Sequence, residues 1–238
     1  MAPLALATMP VKTVHFGDEG QRATAELIRR LESLAPLRLA AYATLHGQVH
    51  ALQSLDKQYG GMAPLPLEGM SEVVGAIHTQ LAHWEAEAVR RKLAASEAIA
   101  EVTLGVALWA IRHGVPLDVV EPVVNALGWR ANHARGKAEL AAVCTLMRGV
   151  IEHVAPRLAA DLERSNPERP WRVLHANLAI TAIRTEDGDA IEAAFDALDA
   201  ALPDERAGFY AEARALALAP GIAPEVRGRI EARCAKWI

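Results

Sequence analysis

Aromatic residues are scarce in this chain. They make up 5% of its 238 residues, and the 52% hydrophobic content comes mostly from alanine and leucine. Small and unbranched apolar side chains suit closely packed helices. They disfavour a β-sandwich, whose strands draw on Val, Ile, Thr and aromatics. Cysteine is nearly missing as well. Cys144 and Cys234 stand far apart, which excludes a disulfide scaffold and fits a reducing compartment. Both read as small core hydrophobes. A reactive thiol at Cys144 would need a neighbouring base that the sequence does not identify.

An excess of positive charge is also lacking. The 25 Lys and Arg residues are outnumbered by 29 Asp and Glu, for a net charge of -4. Without a broad basic field, a nucleic acid is a disfavoured partner. No apolar run is long enough to cross a bilayer, the longest being EVTLGVALWAI. The opening segment MAPLALATMPVKT has no basic start and no long apolar stretch, and prolines interrupt it. These features lead to the expectation of a cytoplasmic protein with no membrane partner. Walker A, GxGxxG, GxSxG and HExxH motifs are all absent from the sequence.

What the chain does have is helical periodicity with clear punctuation. Residues 1 to about 20 look irregular, with VKTVHF as a possible short strand. A helix is expected from about Thr24 to Ala35, with Leu27, Ile28, Leu31 and Leu34 on one face. A second is expected to start at Pro36 and run to about Tyr59. GGMAPLPLEG is the strongest break. The domain reading is therefore an irregular segment and helical hairpin over 1–60, a linker over 61–69, and a hairpin-repeat region over 70–238. Ser71 to His113 has almost no punctuation, and reads either as one very long helix or as two with a bend near Lys92 to Ser96. Further helices are expected at Leu117–Leu127, Ala134–Val154, Pro156–Arg164, Trp171–Thr185, Asp189–Leu202, Glu205–Leu218 and Pro224–Trp237. A break is expected at Gly128–Asn132.

The segment from Trp171 to Glu205 carries the most information. Two amphipathic helices are joined by a tight acidic turn and closed by Pro203. Such a hairpin cannot bury its apolar face alone and must stack on neighbours. Small residues recur every 37 positions at Gly105, Ala142 and Ala179, each within the first helix of a candidate hairpin, and the next step reaches Leu216. Small side chains let helices approach to ~8–10 Å.

On these residues the C-terminal part resembles the tetratricopeptide-repeat family. Ala179, Phe195 and Pro203 match the family's small, aromatic and proline positions. Leu104, Gly105 and Leu108 make a second, weaker match. The chain departs from the pattern at Ile191, where the family prefers alanine, and at His175, where it prefers tryptophan. Its spacing is longer than the family's ~34 residues. The resemblance implies an all-α helical-hairpin array, a TPR-like α-solenoid, preceded by an N-terminal helical subdomain. It also implies a groove for a protein or peptide. The first-helix positions expected to face that groove are Val173, Ala176, Ile180, Ile183 and Arg184, which are mostly apolar.

Other constellations are less pointed. His46 and His50 are four apart and share a helix face, as two ligands of one metal would. His83 is a candidate third ligand, with Glu72, His78 and Glu85 nearby in sequence, although no Glu-x-x-His pair is present. His113 falls at a helix C-terminus, where the dipole favours an imidazolium. Glu186, Asp187 and Asp189 read as helix caps. The stretch LDVVEPVVNALGWRANHARGK has some helix-turn-helix character, with Arg130, Arg135 and Lys137 as phosphate contacts. Trp84, Arg90 and Arg91 are candidates for an exposed contact patch.

Taken together, the sequence favours a noncatalytic adaptor, chaperone or assembly factor that binds another protein or forms a homo-oligomer, with no cofactor. A helical-bundle enzyme or metal protein using His46, His50 and His83 is the alternative. A helix-turn-helix regulator is a third.

Overall fold

In the computed structural model, residues 18–59, 68–160, 162, 164–218 and 222–238 are described. The VKTVHF segment and most of the 61–69 linker lie outside them. Every regular element among the described residues is helical: α1 (Asp18–Glu32), α2 (Tyr42–Tyr59), α3 (Met70–Arg91), α4 (Ser96–His113), α5 (Glu121–Asn132), α6 (Lys137–Leu158), α7 (Pro170–Thr185), α8 (Gly188–Ala201), α9 (Arg206–Ala217) and α10 (Pro224–Trp237). None of them is long and apolar enough to cross a membrane.

The unpunctuated stretch from Ser71 to His113 is two helices. Lys92 adopts φ 54° at the end of α3, and the Leu93 N–H returns to the Ala88 carbonyl at 2.9 Å. Gly114 ends α4 in the same way at φ 68°, with Val115 N–H bonded to Ala110 O at 2.8 Å. Both are Schellman-type stops. The second carries its glycine in plain sight, whereas the first places a lysine in the left-handed region, where sequence gives no warning.

Four expected boundaries move. Pro36 lies in a short 3₁₀ turn (Ala35–Leu37), not at the start of α2. The chain takes positive φ at Arg38 (52°) and Ala41 (55°) before α2 begins. Pro122 occupies the first turn of α5, where its missing N–H is no loss. Gly128 does not break α5. A Cβ there would lie 3.3 Å from Asn177 Nδ2, so the glycine sits where α7 packs closely. Finally, α6 runs through Pro156 to Leu158, and among the described residues no separate helix follows there. Asp187 is the N-cap of α8, its side chain accepting from Ala190 N–H at 2.9 Å, and Asp189 is the acid in its first turn.

Packing builds one continuous core from Leu27 to Cys234. α1 packs on α2 and α4, and α3 on α4. The chain then proceeds mostly by neighbours: α4 on α5, α5 on α6 and α7, α6 on α7, α7 on α8, and α9 on α10, which also touches α8. Gly105 permits the α1–α4 approach, since a Cβ there would meet Leu27 Cδ1 at 2.9 Å. Ala179 is fully buried.

Candidate functional site

α7 presents two faces. Trp171, Leu174, His175, Leu178, Ala179 and Ala182 are buried in the core. Val173, Ala176 and Ile183 are only half-covered, and Ile180 and Arg184 are exposed. With 3.6 residues per turn, 173, 176, 180 and 183–184 fall in one stripe. That stripe forms one wall of a groove with a volume of about 730 Å³. The facing wall comes from Leu198 and Leu202 of α8 and its end, Phe209 and Ala213 of α9, and Ile230 of α10. Every groove position expected from the sequence lines this cavity: Val173, Ala176, Ile180, Ile183 and Arg184.

The groove's rim is acidic on balance. Glu168, Asp204, Glu205 and Glu212 line it, against Arg172 and Arg184. Glu205 is clamped by Arg169 and Arg172. Burial pushes its carboxyl up, but the hydrogen bonds from the two arginines prevail and hold it below the ordinary carboxylate range. Asp204 pairs with Arg164 at 3.2 Å. Glu168 and Glu212 are exposed.

Two buried carboxylates, neither visible in the sequence pattern, fasten helices to one another, and the first of them fixes a groove wall. Asp199 of α8 accepts from Tyr210 Oη at 2.9 Å, from Arg233 at 2.7 Å and from Trp237 Nε1 at 3.0 Å. It thereby locks α8, α9 and α10 in one arrangement. Asp56 does the same for α1, α2 and α4. It accepts from Thr24, from Trp109 Nε1 at 3.0 Å, from Arg112 at 2.6 Å and from His113 Nε2 at 2.7 Å. The trio of Thr24, Asp56 and His113 has the composition of a nucleophilic triad but not its connectivity. Thr24 donates to Asp56, and the base stands on the same carboxylate, so the hydroxyl is committed to it rather than to the imidazole.

The expected exposed patch is not assembled. Trp84 is fully buried, its indole N–H donating to Ala40 O at 2.7 Å and its ring stacked on Tyr42. Its flanking polar residues concealed this, because α3 turns Trp84 inward between His83 and Glu85. Arg91 is spent on Glu87 at 2.7 Å and on Leu37 O at 3.1 Å, so it ties α3 to the α1–α2 connection. Arg90 remains exposed. The phosphate contacts fare similarly. Arg130 is buried, 3.6 Å from Glu139, and Lys137 pairs with Glu186 at 2.8 Å. Arg135 is exposed.

Of the histidines, His46 and His50 meet, with Nε2 atoms 3.2 Å apart. His83 is exposed on α3 and does not join them; the third group beside the pair is Glu32. His113 is paired with Asp56, which accounts for it more fully than the helix dipole does. Cys144 is buried, and burial pushes its thiol up to about 11, with only the Arg148 charge opposing. That is the opposite of an activated nucleophile.

Compared with protein-family models, with curated proteins and with solved structures, the chain matches none. The site therefore has to be read from its own geometry.

Proposed function

We propose that this chain is a noncatalytic adaptor or assembly factor whose α7–α10 groove receives an amphipathic helix of another protein. The observation that carries this reading is the half-exposed apolar stripe of α7 facing an apolar wall across a cleft of about 730 Å³. A partner helix would bury its i, i+3, i+4 and i+7 anchors there. The acidic rim selects basic residues on either side of that apolar face, through charge complementarity. Two adjacent helix pairs, α7 with α8 and α9 with α10, form the walls. They support a helical-hairpin array of the tetratricopeptide type as the architectural class. The Asp199 lock supports a preformed groove, which binds without first ordering its own walls.

The test is selection of a displayed amphipathic-helix library against the full chain. The expected winners carry apolar anchors at helical spacing with flanking Lys or Arg. Their binding should be lost in Ile180→Glu and Ile183→Glu variants that keep the wild-type circular dichroism and melting temperature. Enrichment of no sequence, or winners that bind Ile183→Glu unchanged, overturns the reading. A wild-type chain that sediments as a dimer, and an Ile183→Glu variant that does not, would assign the groove to a second copy instead.

A further inference from the structure

The end of α1 and the start of α2 bring three metal-ligating side chains to one point. His46 and His50 are one helical turn apart on α2, so their rings lie on the same face. Glu32 is the last residue of α1. The intervening chain turns back through Arg38 and Ala41, both at positive φ, and Tyr42 Oη reaches the Leu31 carbonyl at 3.4 Å. That contact sets Glu32 against α2. His46 Nε2 lies 3.2 Å from His50 Nε2 and 3.8 Å from Glu32 Oε1, and the three ligand atoms all fall within 4.8 Å of one another.

These distances suit one particular kind of ligand. Zinc bonds nitrogen at ~2.0–2.1 Å, so two ligands of a tetrahedral ion stand about 3.3 Å apart. The imidazole pair already has that edge. The Glu32–His46 edge has to close by roughly half an ångström, and the Glu32 side chain is 53% exposed. The His46 ring is held in place from behind. Tyr42 stacks on it with ring centroids 5.6 Å apart, and Trp84 stacks on Tyr42 at 5.9 Å. Trp84 is itself pinned to Ala40. One ligand is thus preorganised by core packing, while the exposed carboxylate leaves an open side for solvent as a fourth ligand.

We propose that Glu32, His46 and His50 form a three-ligand site for a divalent transition-metal ion, with zinc as the fitting case. Two imidazoles and one carboxylate are a borderline donor set that takes zinc, cobalt, nickel or copper in preference to magnesium or calcium. The ion clips the C-terminus of α1 to α2. This assignment is independent of the α7–α10 groove, which lies on other helices.

The test uses the untagged full chain after chelator treatment, titrated with zinc by calorimetry and with cobalt by visible absorption. The expected result is one equivalent bound at micromolar zinc, a rise in melting temperature, and cobalt ligand-field bands of a low-coordinate site. His46→Ala and His50→Ala should each abolish all three signals. Glu32→Gln should weaken zinc at least about tenfold, since even outer-shell partners contribute that much. His83→Ala should change nothing. All these positions are partly or fully solvent-exposed, and circular dichroism checks that each variant folds. Binding only at millimolar zinc overturns the proposal, as does stoichiometric binding that survives His46→Ala with His50→Ala. An unchanged affinity in Glu32→Gln overturns the three-ligand assignment. It would leave the two imidazoles as the ion's only ligands from this cluster.

Discussion

Asp56 and His113 are 57 positions apart in the chain, yet the His113 Nε2 donates to Asp56 Oδ1 at 2.7 Å in a fully buried pocket. Arg112 shares the same carboxylate from the other oxygen. This one acid therefore fastens α2 to the C-terminal turn of α4, and Thr24 brings α1 to it as well.

Removing that charge should be costly. Asp56→Asn removes the carboxylate charge that faces the Arg112 guanidinium, which is only 8% exposed. Breaking a buried pair from one side costs about 3–5 kcal/mol. Urea denaturation should report a loss of that size. Replacement of an exposed acid such as Glu168 should stay within about 0.5 kcal/mol.

Acid should destabilise the protein in two pH windows. Burial pushes the Asp56 carboxyl up, but the His113 hydrogen bond and the Arg112 charge outweigh it, so it titrates below the ordinary range. A depressed carboxylate contributes stability above the unfolded value of about 4, and that stability is lost as the pH falls further. His78 acts earlier. Its ring is buried against the Thr103 carbonyl, and burial lowers it to about 4. Between about pH 6.5 and 4 the unfolded chain takes up this proton and the folded one does not, so stability falls as the pH falls. Chemical denaturation across that window should show a slope that flattens in His78→Gln.

The two faces of α7 should respond differently to truncation. Leu178 is 1% exposed, and Leu178→Ala should cost about 2–5 kcal/mol. Ile180 is 44% exposed, and Ile180→Ser should stay near the ±0.5 kcal/mol of surface changes. Paired melting curves of the two variants check this, and a large loss at Ile180 would mean that the groove is closed in solution.

Both thiols should be silent in the native protein. Cys144 and Cys234 are buried, and burial raises each thiol. The Cys234 S–H also donates to the Tyr210 carbonyl at 3.1 Å. A disulfide reagent at neutral pH should find no reactive thiol before denaturant is added and both after it.

The groove was legible and the locks were not, for a physical reason. Val173, Ala176, Ile180 and Ile183 repeat at helical spacing, so their common face follows from 3.6 residues per turn. Asp56 and Asp199 follow no such rule. Each is a single acid in an ordinary helical context, and its partners come from helices distant in sequence. Trp84 shows the same limit, because charged flanks suggested exposure while the packing of α3 on the α1–α2 connection buried it. Lys92 shows it at the level of the backbone, where a lysine in the left-handed region stops α3 with no glycine to signal the turn.

The sequence by itself determined that this chain is helical, where most of its helices lie and which stripe of α7 stays half-apolar. Local propensity, periodicity and punctuation act over a few turns, and one strand of text contains them. The tertiary structure alone decided which helices touch, which acids are buried and what stands opposite the α7 stripe. Those outcomes depend on contacts between residues separated by tens of positions, such as Asp56 with His113 and Asp199 with Arg233. They are settled only when a shared core brings the helices together.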